Sequence, residues 1–462
     1  MESQNQTPNS NIIGNPTPTS SFPTNLVNKE RTNLVIHSKW AELNGAVGDL
    51  GTYVPLVLAL TLAKDLNLGI TLIFTGIYNI ISGTIYGLPM PVQPLKCIVV
   101  VALSNGPKFD VPEIMAAGIC IEGVMLVLGV TGLMQLTYKL VPFSIISGVQ
   151  LAQGLSFALT ALNYVENIQK FSVSKSWEYK PWLGLDRLSL AISCACVMIL
   201  VDGVGKGVQQ HGQNDHKIIR AHETNTSDQL ERCGTKIRAH IRKFMALLPT
   251  ALVIFLFGII VAFIKRPKVL SDIKFGPSSM HVVQFSRHAW KEGFVKGTIP
   301  QLPLTVLNSV ISICKLSSDL FPGKELSATL VSMTVGIMNV IGCWFGVVPS
   351  CHGAGGLATH YKFGGRSGGC VALLGVAKLG LGLALGTSLV KILSQFPIGF
   401  LGVMLFFARI ELAMASRKLS SVEDSFVKLI CTVVSLVGSD TVLGFVCGIF
   451  VRFLLRIRKF LE

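Results

Sequence analysis

The chain is 462 residues long, half of them hydrophobic and only 14% charged, with 45 glycines and a mean hydropathy of +0.57. Soluble chains carry about 25% charged residues, so a water-soluble domain is excluded and a polytopic membrane protein is expected. The net charge of +15 does not point to nucleic acid, because the basic residues fall in loops and tails between apolar segments, as the positive-inside rule expects.

Residues 1–30 are rich in Asn, Pro, Ser and Thr, and 1–38 reads as a disordered cytosolic tail with neither a signal-peptide core nor a transit-peptide pattern. Fourteen apolar segments follow, at about 43–62, 69–88, 94–104, 113–136, 141–161, 185–201, 245–264, 293–313, 328–348, 353–361, 368–390, 396–415, 425–438 and 441–455. A full span needs about 20 residues, so 94–104 and 353–361 read as half-helices. The division is a first-half membrane repeat over 39–202, a basic loop over 203–243, and the remaining membrane domain with the second repeat and a short C-terminus over 244–462.

Lys29, Arg31 and Lys39 precede the first span, and Arg452, Arg456, Arg458 and Lys459 close the last. An even count puts both termini on one side, and these charges make it the cytosol. The 203–243 loop, with eight Lys/Arg against four Asp/Glu, falls on the same side. Its His211, His216, His222 and His240 fit no standard metal spacing and read as linker. The segment 265–290 disagrees: it carries Lys265, Arg266, Lys268, Lys274 and Arg287, yet the count places it outside. Either the charge rule is locally broken or a segment is miscounted. The eleven cysteines form no CxxC pair, and most, such as Cys97, Cys120 and Cys194, sit in apolar segments as small hydrophobes.

Two stretches put Pro, Gly and polar residues where only apolar helix is expected: Pro89-Met-Pro-Val-Gln93-Pro-Leu-Lys96 and Pro349-Ser-Cys-His352-Gly-Ala-Gly-Gly356. Irregular backbone at that depth must be buried in protein or line a polar cavity. The flanking segments repeat. Residues 76–89 match 336–349 at five of fourteen positions, including Gly76/Gly336, Asn79/Asn339 and Pro89/Pro349, at an offset of 260. A second echo pairs Pro142, Gly148, Val149 and Leu151 with Pro397, Gly402, Val403 and Leu405. Seven segments per half make the halves enter the membrane in opposite senses, an inverted-topology repeat suited to alternating access. The half-helix N-termini then face one midplane site.

Two helix N-termini facing one cavity favour an anion. Gln93 can donate a hydrogen bond, Lys96 adds a full charge, and Gly353, Gly355 and Gly356 allow close backbone approach by an oxyanion. Lys96 could instead snorkel to an interface. His352 could hold substrate, carry a proton, or serve a polar packing network. Asn44 and, in the comparable second-half helix, Gln301 and Asn308 are further candidates to line the approach. Asp49 is a candidate for ion coupling or for fixing Lys96, with helix capping as the alternative. Arg366 guards a mouth or anchors a loop. Lys378, Arg409 and Glu411 need partners that the sequence does not name. Cys351-His352 is no nucleophile–base pair, since adjacent residues on a helix diverge, and no P-loop, dinucleotide fingerprint or metal cluster appears. No cofactor and no enzymatic activity are expected.

The motifs Glu42-Leu-Asn-Gly-Ala-Val-Gly-Asp-Leu-Gly-Thr-Tyr53, Pro89-Met-Pro-Val-Gln-Pro94 with Lys96, Cys351-His-Gly-Ala-Gly-Gly-Leu357 and Tyr361-Lys-Phe-Gly-Gly-Arg-Ser-Gly-Gly369 closely resemble the plant molybdate transporter family, which is sulfate-transporter-like. The resemblance runs from about residue 31 to 455. It implies molybdate uptake by a lipid-embedded carrier, and an all-α fold of seven plus seven segments. Segments 1–4 and 8–11 then form a core that moves against a gate of segments 5–7 and 12–14. The soluble regulatory domain of many sulfate transporters has no counterpart before Glu462. Many family members carry Arg where this chain has Ser147, and a small residue where it has Arg409. Sulfate is the nearest alternative substrate, followed by a nucleobase or a sensor that does not transport. The plasma membrane is expected by default, with tonoplast or other endomembranes open. A homodimer is left open.

Overall fold

The apolar segments become helices, and the breaks between them fall at Pro, Gly and polar caps. In a computed structural model of the chain, the structure describes residues 32–36, 38–104, 109–166, 185–202, 249–265, 273–396, 398–416, 421–438 and 441–461. Most of the expected tail and the whole 203–243 loop with its histidines lie outside the described residues.

The first passage is α1 (Lys39–Gly48) and α2 (Leu50–Lys64), continuous except at Asp49. Helix α3 (Leu68–Tyr86) starts at Asn67, whose side chain accepts from the Ile70 amide at 3.1 Å. A short strand β1 (Val92–Pro94) leads into the half-helix α4 (Lys96–Ser104). Helix α5 (Val111–Val130) opens on an Asp110/Glu113 capping box. The expected single segment over 113–136 is split. Gly132, at φ +73°, takes a backbone conformation that a side chain disfavours, and the chain restarts as α6 (Leu133–Leu140). Helix α6 is bent 91° from α7 (Phe143–Glu166).

Next come α8 (Leu185–Asp202), α9 (Thr250–Lys265) and a bent passage. The bent passage runs α10 (Arg287–Glu292), a π segment Gly293–Thr298, α11 (Ile299–Thr305), a second π segment Val306–Ile311, and α12 (Ser312–Leu320). Pro303 inside α11 takes an N–H from the ladder. The second half continues as α13 (Ala328–Gly342), β2 (Ser350–His352), the half-helix α14 (Ala354–Lys362), α15 (Gly368–Leu385), α16 (Leu389–Leu393), α17 (Ile398–Ala415), α18 (Val422–Val437) and α19 (Thr441–Leu461).

The repeat is visible in the packing. Helix α3 packs along α15, and its repeat mate α13 packs along α5. The α3–α15 contact is a ladder of glycines, with Gly69, Gly76 and Gly83 set against the backbone at Gly382, Gly375 and Gly368. A Cβ on Gly76 would come within 2.8 Å of the Gly375 carbonyl. Missing side chains thus let two backbones touch, the usual route to tight helix pairs in lipid. The two repeat asparagines do the same work: Asn79 Oδ1 accepts from the Val92 amide at 2.8 Å, and Asn339 Oδ1 from the Ser350 amide at 2.7 Å. Each asparagine holds the strand of its own half. The halves are also bonded directly, Tyr78 Oη donating to the Met338 carbonyl at 2.7 Å.

A second group of helices, α7, α17, α18 and α19, packs beside this body. The described part of the basic stretch at 265–290 packs against α3 and α15. Residues 273–286 run extended, with the Gly276 amide on the Ala384 carbonyl and the Asn67 side chain on the Ser279 carbonyl. This stretch therefore lies on the face of the turn between the first two passages, as the segment count requires.

Candidate functional site

The two irregular stretches meet. Strands β1 and β2 pair antiparallel, with Gln93 opposite Cys351, Val92 opposite His352 and Pro94 opposite Ser350. Helix α4 leaves one end of this ribbon and α14 the other, so their N-termini face across it. The Leu95 amide adds a bond to the Pro349 carbonyl at 2.8 Å. At the start of α14 the Gly353 carbonyl accepts from Gly356 and Leu357. The Ala354 and Gly355 amides lie ahead of the helical ladder.

Gln93 sits at the centre and is buried. Its side chain lies across Gly353 and Gly356, where a Cβ on either would meet its amide, and its Nε2 donates to Asp49 Oδ2. These two glycines are seats for a glutamine side chain. Gly355 is a seat for another residue: the Arg409 guanidinium from α17 fills the volume its Cβ would take. Arg409 is fully buried, its Nη2 donates to Thr52 Oγ1 at 2.5 Å, and the same nitrogen lies 3.9 Å from Asp49 Oδ1. Lys96 Nζ lies 3.6 Å from the centre of the Phe157 ring, and the Arg409 guanidinium carbon 5.2 Å from it. Two cations thus flank one aromatic ring of α7.

The other candidates are placed as follows. His352 is fully buried on the opposite face of the ribbon from Gln93, edge-on to Tyr86 at 5.6 Å between ring centres. Successive strand side chains point to opposite faces, which separates it from the Gln93 side. Asn44 donates to the Phe363 carbonyl at 2.8 Å and accepts from the Leu252 amide at 3.0 Å, so both ends of its amide tie helices together. Asn308 accepts from Gln153, one turn before Phe157 on α7. Gln301 donates to Thr305 Oγ1 at 2.8 Å in its own helix. Arg366 is an anchor by its contacts: it donates to the Tyr361 and Gly365 carbonyls and stacks on the Tyr361 ring. Lys378 Nζ lies over the Tyr53 ring at 3.5 Å.

Arg409 was not among the residues expected at the site. Its only sequence signal is a charge inside an apolar segment, and nothing in its spacing names a partner. Ser147 is also buried. Gly154 packs on Ala413 and Phe157 on Arg409, so α7 and α17 run antiparallel. Ten residues at 1.5 Å rise put Ser147 about 15 Å along α7 from Phe157. Ser147 and Arg409 therefore sit at different levels of the α7–α17 seam.

The family described as "Molybdate transporter of MFS superfamily" matches residues 41–157 and 293–412, the regions that carry both half-helices, Gln93, Lys96 and Arg409. The chain belongs to the molybdate transporter family. It is 55% identical over 445 residues to Molybdate transporter 1 of Arabidopsis thaliana, covering 96% of this chain and 94% of that one. Identity to Molybdate transporter 2 of Arabidopsis thaliana is 49% over 419 residues, covering 90% and 88%. Among solved structures, SLC26A9 superposes with a TM-score of 0.54 at 14% identity, over 91% of this chain and 65% of that one. The transmembrane domain of the cyanobacterial bicarbonate transporter BicA gives 0.51 at 12% identity, over 89% and 98%. The fold of this family member is thus a mostly helical inverted repeat built in an integral membrane protein, the architecture of a transporter.

Proposed function

We propose that the protein is a membrane carrier for molybdate, working by alternating access. The observation that carries this reading is the β1–β2 crossing, which aims two helix N-termini and the side chains of Gln93, Lys96 and Arg409 at one buried region. Helix N-termini and cations together suit a tetrahedral oxyanion. The relatives' names specify which oxyanion. Gln93, Lys96 and the Ala354–Gly356 backbone hold it, and Asn308 lines the approach through Gln153. In this reading His352 supports the ribbon from behind through its ring and contributes its backbone to the turn.

Transport follows from the two packed groups. The body with both half-helices carries the site, and the α7/α17/α18/α19 group forms the wall against which it moves. Asp49, held by Gln93 and beside Arg409, is the group proposed to couple uptake to protons. The proposed address is the plasma membrane, by default over tonoplast or other endomembranes, and loop charge puts both termini in the cytosol.

The test is uptake of trace molybdate by vesicles holding the purified protein, with excess sulfate as competitor and Lys96→Ala alongside. Saturable uptake that resists sulfate and is lost in the variant supports the reading. Full competition by sulfate makes it a general oxyanion carrier, and no uptake under any gradient rejects the carrier reading. Uptake that ignores an imposed pH gradient removes Asp49 from coupling.

A further inference from the structure

Arg409 stands in a place that suits no cation on its own. It is 0% exposed. Its Nη2 is used by Thr52, but Nε and Nη1 have no hydrogen-bond partner among the described residues. Among the described side chains, the carboxylate beside it offers little: Asp49 Oδ1 lies 3.9 Å away, beyond hydrogen-bond reach, and Oδ2 is engaged by Gln93. The guanidinium also presses against Gly355, the second residue of α14. A helix N-terminus carries partial positive charge, so a cation there is disfavoured. Buried donors without acceptors are disfavoured as well. One group removes both penalties: an oxyanion that accepts from the guanidinium and from the first amides of α14.

We propose that Arg409 is a substrate ligand supplied from the gate side, its Nε–H and Nη1–H donating to the oxyanion at the α14 N-terminus. This rests on the oxyanion-carrier reading and adds a residue to it. The guanidinium fork matches two oxygens of a tetrahedral anion, as an ammonium does not. Gln93, Lys96 and the α14 amides all come from the body that contains the half-helices. Arg409 comes from α17, which packs with α7 in the other group. The bound anion therefore bridges the two groups. Among the described residues, Lys96 and Arg409 flank the Phe157 ring on one side of the site, against the carboxylate of Asp49. That excess of positive charge selects for a dianion over a monoanion of similar size.

The experiment compares purified wild type, Arg409→Gln, Arg409→Lys, Gly355→Ala and Lys96→Ala in detergent. Binding of molybdate, sulfate and nitrate is read by titration calorimetry, and folding by thermal unfolding without ligand. Arg409→Gln should weaken molybdate about 10- to 100-fold, the loss expected for hydrogen bonds to a charged group. Its molybdate-to-nitrate preference should fall by a similar factor, which a purely structural role would not move. Arg409→Lys should keep the fold and lose less, because charge remains without the fork. Gly355→Ala displaces the guanidinium without removing it and should weaken molybdate about tenfold by the same loss. It decides the matter if Arg409→Gln does not fold. Molybdate affinity within about twofold of wild type in folded Arg409→Gln, or in Gly355→Ala, overturns the proposal while loss in Lys96→Ala leaves the carrier reading intact. Failure of wild type to bind either dianion overturns both.

Discussion

The two half-helix starts are built alike in backbone and differently in chemistry. On the first-half side, β1 and α4 present side chains, Gln93 at the ribbon centre and Lys96 at the helix start. On the second-half side, β2 and α14 present bare backbone, with Gly353 and Gly356 covered by Gln93 and Gly355 by Arg409. Duplication supplied the frame twice, down to the asparagines that hold each strand. Charge then came from one half and from the neighbouring helix group. A symmetric scaffold therefore does not imply a symmetric site, and the proposed ligand Arg409 comes from outside the two half-helix starts.

The sharpest way to break this comparison is to remove the first-half charge. Lys96→Ala should lower uptake kcat/KM by on the order of 100-fold, equivalent to one hydrogen-bonded charge in a buried site. Retained uptake would mean that backbone dipoles suffice and that the halves do not divide the work. The scaffold can be tested next. Asn339 makes bonds to both the amide and the carbonyl of Ser350, while Asn79 takes the Val92 amide. Asn339→Ala should cost about 3 kcal/mol of stability and Asn79→Ala about 1 kcal/mol, read as thermal unfolding in detergent. Equal costs would show that the two clamps are equivalent in energy as well as in position.

Smaller effects separate site from support. Asn44→Ala should lower stability by about 1–2 kcal/mol and leave the KM for molybdate unchanged, because both of its bonds join helices. A raised KM would return Asn44 to the site. His352→Asn should change the KM by less than about threefold, since uniform binding is lost only by groups that touch substrate. A larger change would place the imbidazole's face of the ribbon in contact with the anion.

Much of this was legible in the sequence because it broke a rule. Pro and Gly at membrane depth marked both half-helices, and a charge at Lys96 marked one of them. The matched Asn79 and Asn339 revealed the duplication, although their clamp role needs the strand amides to be seen. Gln93 and His352 were both candidates for the anion site because each lies beside a half-helix. A three-residue strand puts them on opposite faces, and that alternation leaves no trace in so short a run. The glycines were read as room for a ligand, whereas two of them make room for Gln93 and one for Arg409. Arg409 itself lies 54 residues past Gly355 by number, and only the close packing of α14 and α17 joins them. The split at Gly132 was missed because apolar residues continue on both sides of it.

The glycine ladder between α3 and α15 has a mechanical consequence. A joint made of interlocking side chains can yield by changing rotamers. A joint made of touching backbones has no such compliance, and its members can only travel together. Gly69, Gly76 and Gly83 therefore weld the first repeat to the second along about 20 Å of α3. In the proposed carrier that block swings as one body, with the anion riding at its centre like a passenger in a revolving door.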